Sequence, residues 1–175
     1  MDWRQYSPFE AGILGSLRDL PRDEARRHYD RLMDAKQERI EVLSALLQRN
    51  GLELGSSDAA LQDLNDWFLS EIEPDSERSR RMASKWFGPV QDLALHLGET
   101  MIKRSPALRW EFFTWGKKNL SYQRPVIMGF SNVKEPKYNI DPGWLLVVYG
   151  NRAVAGEQVK GDAFWRWVKE AEAKN

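Results

Sequence analysis

From Arg22 onward, apolar side chains recur at spacings of three and four: Tyr29, Leu32, Met33, Ile40, Leu43 and Leu47, with Lys36 filling the central step. That period predicts one amphipathic helix from Arg22 to about Asn50, which Gly51 stops. Such a helix spans on the order of 40 Å and forms one side of a domain. Its other face alternates in sign from Arg22 to Glu41, and the four-residue pairs are mixed: Asp23–Arg27 attract, Asp30–Asp34 repel. This describes a solvated face, although a helix this long leaves open a homodimer formed through it, beside a monomer. Residues 1–21, with Pro8, Gly12, Gly15 and Pro21, read as an irregular N-terminal segment.

Ser57-Asp58 is a helix start, because the hydroxyl can take a free amide and the carboxylate favours the positive helix end. Leu61, Leu64, Phe68 and Ile72 follow as an inner stripe, and Pro74 ends it. Asp75 or Ser76 can cap a further helix carrying Arg78, Arg80, Arg81 and Lys85 to Trp86-Phe87, where Gly88-Pro89 breaks or restarts it. The continuation sets Val90, Leu93, Ala94, Leu97 and Met101 on one strip, Leu95 and Ile102 on a second. A helix apolar on two sides is expected at the centre of the fold.

After Ser105-Pro106 the period becomes two. Leu108, Trp110, Phe112 and Thr114 alternate with Arg109, Glu111, Phe113 and Trp115, which predicts a strand. Residues 116–119 form a turn. A strand over 126–130 returns antiparallel, with Pro125 at its start, where a missing amide does least harm. Residues 131–140 are a loop. Asp141-Pro142 suits the start of a helix over 141–153, and helix is preferred there although Leu145–Tyr149 has strand propensity. Asp162 opens a last helix with Phe164, Trp165, Trp167 and Val168, fraying from Lys169. The expected fold is α+β in one domain over 1–175: an N-terminal helical layer of three to four helices (22–104), a central antiparallel β-hairpin, and C-terminal helices packed against it.

Composition narrows the chemistry. A chain of 175 residues can bury about 70% of its unfolded surface without staples. The absence of cysteine removes disulfides, thiolate metal sites and thiol catalysis. Met1–Tyr6 lacks a secretory profile, and no window approaches the roughly 18 apolar residues of a membrane span, so a soluble cytoplasmic protein is expected. Six of the eight tryptophans lie from Trp86 onward. Each such ring buries about 150–250 Å², so these residues shape either the core or an interface.

The net charge is zero, yet it is segregated: residues 52–77 carry eight acidic residues and no basic one, and residues 78–137 carry twelve basic and four acidic. This division either neutralises itself within the fold, with 52–77 beside Arg78–Lys85 and the hairpin, or meets a charged partner.

Three functions are in view. Basic and aromatic residues interleave around the hairpin, at Arg109, Trp110, Phe113, Trp115, Lys117, Lys118, Tyr122 and Arg124. Trp, Tyr and Arg commonly carry interface energy, so the leading expectation is a non-enzymatic protein-binding module of adaptor, inhibitor or toxin-neutralising type. The same residues could stack bases and track phosphates of single-stranded nucleic acid, though a pI of 6.8 counts against it. A hydrolytic or small-molecule enzyme would place Glu99, Glu111 and His96 in a pocket. On a helix, however, Asp92–His96 and Glu99–Lys103 read as ordinary pairs four residues apart. No nucleophile elbow or phosphate loop is present, and neither a cofactor nor a metal is expected.

Overall fold

The computed structural model describes residues 1–10 and 16–175. The first long helix is divided in two, α1 (Arg22–Asp34) and α2 (Lys36–Arg49), which meet at Ala35. Ala35 has ψ −3°, far from the helical value near −42°, so the axis turns there while the hydrogen bonds Ala35 N–Arg31 O and Arg39 N–Ala35 O continue the ladder. The buried stripe keeps its spacing across the turn but sits one position before the expected Tyr29, Met33 and Ile40: α1 buries Ala25, His28 and Leu32, and α2 buries Arg39, Leu43, Leu46 and Leu47. Gly51, at φ +79°, supplies the expected stop, and the Leu52 amide returns to Leu47 O.

Helix α3 (Asp58–Glu71) begins where predicted, with Ser57 Oγ accepting from the Ala60 amide at 3.1 Å. The helix expected over 75–87 does not form. Asp75 Oδ1 instead takes the amides of Glu77 and Arg78, which turns the chain, and the Ala83 amide reaches back to Glu73 O. No residue of 75–81 is buried or apolar, so a helix started at Asp75 would have no apolar face over its first two turns. After a 3-10 turn at Ser84–Trp86, α4 (Phe87–Arg104) runs straight through Gly88-Pro89. Pro89 is tolerated because first-turn amides have no helical partner to lose.

As its two apolar strips require, α4 is central: it packs against α2, α5 and α6. One apolar cluster joins α2, α3, α4, α5 and α6, with Trp86 fully buried among the rings of Trp3, Trp67 and Phe68. The hairpin pairs β1 (Arg109–Phe112) with β2 (Pro125–Met128), Arg109 opposite Met128 and Phe112 opposite Pro125. Leu108 and Ile127 join the main core, whereas Phe113, Val126 and Met128 form a second, smaller cluster.

The helix reading of 141–153 holds. Helix α5 (Pro142–Val154) starts with Asp141 Oδ1 accepting from the Trp144 amide at 2.8 Å. Helix α6 (Ala163–Ala173) does not fray at Lys169: Ala171 is buried, and Lys174 reaches Glu170 at 3.3 Å. The fold is therefore α+β, with six helices and one hairpin among the described residues.

Candidate binding surface at the hairpin loop

The loop 113–124 is longer than the expected turn and is closed by its own backbone. Phe113 and Arg124 are joined by an amide bond to carbonyl of 3.1 Å, and the Gln123 amide returns to Phe113 O at 2.7 Å. Asn119 Oδ1 accepts from the Ser121 amide, and Gly116 takes φ +68°. Gln123 itself lies at φ +62°, and its Nε2 donates to Leu17 O at 2.6 Å and Leu20 O at 3.0 Å. Phe113 and Tyr122 are buried, so they hold the loop from within. What projects is Trp115 (52% exposed), Lys117, Lys118 and Leu120 (58% exposed).

A groove of about 600 Å³ runs beside this loop, with Leu120, Tyr138, Trp144 and Trp167 among its walls and Lys118 and Glu170 at its edge. Through Leu145, Trp167 and Glu170 it continues into a second concavity of about 410 Å³ that adds Arg152, Lys160 and Arg166. Lys137 Nζ lies 4.8 Å from the Trp115 ring centre, a cation on an aromatic face. Among the described residues four large apolar side chains are exposed, Phe87, Trp115, Leu120 and Trp144, and three of them belong to this region.

The structure thus divides the hairpin set. Trp115, Lys117 and Lys118 share the loop surface. Arg109 is exposed but ion-paired to Glu111. Trp110 is half-buried against α4, with its Nε1 donating to Glu99 Oε1 at 2.8 Å. Arg124 Nε binds Asp141 Oδ2 at 2.5 Å. Leu120, Tyr138, Trp144 and Trp167 escaped the sequence reading. The signal for Trp144 was present, since a cap at Asp141 places it in the first turn of a helix.

The carboxylates are divided as well. Asp92 is fully buried, accepts Arg39 Nε at 2.9 Å and Nη2 at 2.6 Å, and also accepts the Tyr6 hydroxyl at 2.6 Å. Burial, reinforced by the adjacent Asp92 charge, pushes the Tyr6 phenol well above its usual range. Glu99 accepts Lys36 Nζ at 2.5 Å. His96 Nε2 meets Gly55 O at 3.0 Å, and burial holds the imidazole below its ordinary pKa. The two pairs expected along α4 are therefore replaced by partners from other elements. His96 and Glu99 line one concavity with Lys103, but Glu111 is not among its walls. Among the described residues no three His, Asp or Glu side chains gather as a metal-binding set.

The acidic segment is neutralised in part by Lys85, Arg78 and Arg104, through Glu73, Asp75 and Asp58. Among the described residues none of its ion pairs reaches the hairpin, and Lys117 and Lys118 have no ion pair. Of the self-neutralising alternative, the pairing with Arg78 and Lys85 forms, while at the hairpin Asp141 and Glu111 serve Arg124 and Arg109. No described helix is long and apolar enough to cross a membrane. No family model matches the chain, and no curated protein or solved structure matches it either.

Proposed function

We propose that the protein is a non-enzymatic binding module that captures an acidic protein segment bearing apolar anchors. The groove beside the hairpin loop receives it. The observation that carries this reading is that exposed Leu120 and Trp144 line one groove with Lys118, beside a loop that also projects Trp115 and Lys117, and that among the described residues Lys117 and Lys118 have no ion pair. Exposed aromatic surface rimmed by polar groups is characteristic of interaction sites, and the cations select the sign of the partner. Lys160 adds a further cation along the groove, while Arg166 beside it is paired with Asp162.

The test is titration with fluorescent peptides in which Leu or Trp alternates with Asp and Glu, against the same peptides with Lys for the acids and against oligo-dT. Acidic peptides are expected to bind, and Trp115→Ala or Lys117→Ala with Lys118→Ala to weaken them at least tenfold without changing the thermal midpoint. Oligo-dT binding that is lost in the double lysine variant, with no peptide binding, would replace this reading by the nucleic-acid one.

A further inference from the structure

Helices α5 and α6 both pack on α4 yet make little backbone contact with each other, so a channel is left between them, and the groove runs along it. Each helix turns one face to this channel: Leu145, Val148 and Arg152 on α5, and Ala163, Trp167 and Glu170 on α6, are spaced three and four residues apart. Tyr149 spans the gap and sets its width, with its ring against Phe164 and Trp167 and its hydroxyl donating to Lys160 O at 2.7 Å. Lys118 stands at the end near Trp144 and Lys160 at the end near Arg152, and neither has an ion pair among the described residues. The other charges of the walls are committed, Arg152 to Glu157, Arg166 to Asp162, Asp141 to Arg124 and Glu170 to Lys174. The helices that form the walls keep their amides and carbonyls for their own ladders. An extended chain laid among Leu145, Val148 and Trp167 would lose the water on its backbone and gain no partner there, whereas a helix arrives with its backbone already paired.

We propose that the captured segment is an amphipathic α-helix that lies between α5 and α6, with apolar anchors three, four and seven residues apart and an acidic side chain toward each end. The inference rests on the binding-module reading and specifies the form of its partner. From Trp144 to Arg152 the α5 wall runs about 12 Å at the helical rise, so the anchors occupy about two turns. The flanking acids then face Lys118 at one end and Lys160 at the other, which fixes where along the channel the helix stops. Anchors at this spacing are how helices are read by apolar grooves in general.

The probes are three fluorescein-labelled peptides of about 16 residues, long enough to sustain a helix. One carries Leu at helical spacing with Asp and Glu at both ends, one alternates the same residues, and one places Pro at the centre of the helical pattern. The first is expected to bind about tenfold tighter or more than the other two, and to gain helical circular dichroism as it binds. Lys118→Glu and Lys160→Glu are each expected to weaken it about fivefold or more, and Val148→Asp to abolish its binding. Lys160 is exposed, so Lys160→Glu serves should Val148→Asp fail to fold. Equal binding of the helical and alternating peptides overturns the helix and leaves the binding module standing, whereas absence of binding by all three overturns both. Binding of the helical peptide that ignores Lys160→Glu overturns its placement between α5 and α6. Self-association of the chain that Lys160→Glu disperses, with no peptide bound, gives the channel to a second copy and overturns the proposal.

Discussion

Gly98 on α4 lies flat against the indole of Trp110, so that a Cβ at Gly98 would stand 2.1 Å from Cζ2 and 2.5 Å from Cη2. The ring has little freedom to withdraw, because its Nε1 is held by Glu99, which Lys36 holds in turn. Gly98→Ala would gain about 1 kcal/mol of helix propensity, but forcing a methyl into a filled contact costs about 1–3 kcal/mol. A lower urea midpoint is expected. An unchanged midpoint would mean that the indole swings aside easily.

Phe113 and Trp115 are two residues apart and differ in burial, 1% against 52% exposed. Phe113→Ala is therefore expected to destabilise by about 3–5 kcal/mol, and Trp115→Ala by less than about 1 kcal/mol. Chemical denaturation of the two variants checks this. A large loss at Trp115 would make that ring structural and leave the proposed docking surface without its main anchor.

The Arg39–Asp92 pair is buried at both ends and shared with Tyr6, so its members should be strongly coupled. Arg39→Met leaves a buried carboxylate uncompensated and is expected to cost about 3–5 kcal/mol. Tyr6→Phe removes one hydrogen bond to a charged acceptor, about 1.5–3 kcal/mol. Arg39→Met with Asp92→Leu should recover most of the loss, and a double-mutant cycle by urea unfolding measures the recovery.

His96 adds a pH dependence of definite sign. Burial lowers its pKa in the folded state below the ordinary 6.5, against the Gly55 hydrogen bond, which raises it. The unfolded chain therefore binds a proton that the folded chain refuses. The contribution is fully present above pH 6.5 and is lost as pH falls below it. Unfolding free energies at pH 7.5 and 5.5 should drop more in the wild type than in His96→Gln. Equal drops would show that His96 titrates normally.

Helix periods identified α2, α3, α4 and the α+β order of the chain, since apolar spacing and caps at Ser57 and Asp141 are local signals. The bend at Ala35 was invisible because its neighbours keep the same period on both sides. The failed helix over 75–87 turned on Asp75, whose carboxylate serves equally as a helix cap or as the acceptor of an isolated turn. At the candidate surface, Trp115, Lys117 and Lys118 could be read from their loop. Phe113 could not be assigned a side, because the hairpin carries apolar residues on both faces and a period of two does not say which is covered twice. Trp144 and Trp167 join the surface only through packing distant in sequence.

The three carbonyls that receive the Gln123 side chain lie more than a hundred residues earlier, at Leu17, Arg18 and Leu20. Arg18 answers with a bond to Asn119 O at 2.8 Å. Contacts between such remote stretches close a long chain loop for a few hydrogen bonds, so they form late in folding and open first. The amides of 119–124 should accordingly exchange with solvent faster than those of α4, through an opening that detaches residues 17–20 and leaves the core intact. Gln123→Ala would keep the helices and lose the clasp that shapes the loop, making residues 17–20 a determinant of the shape of a surface a hundred residues away.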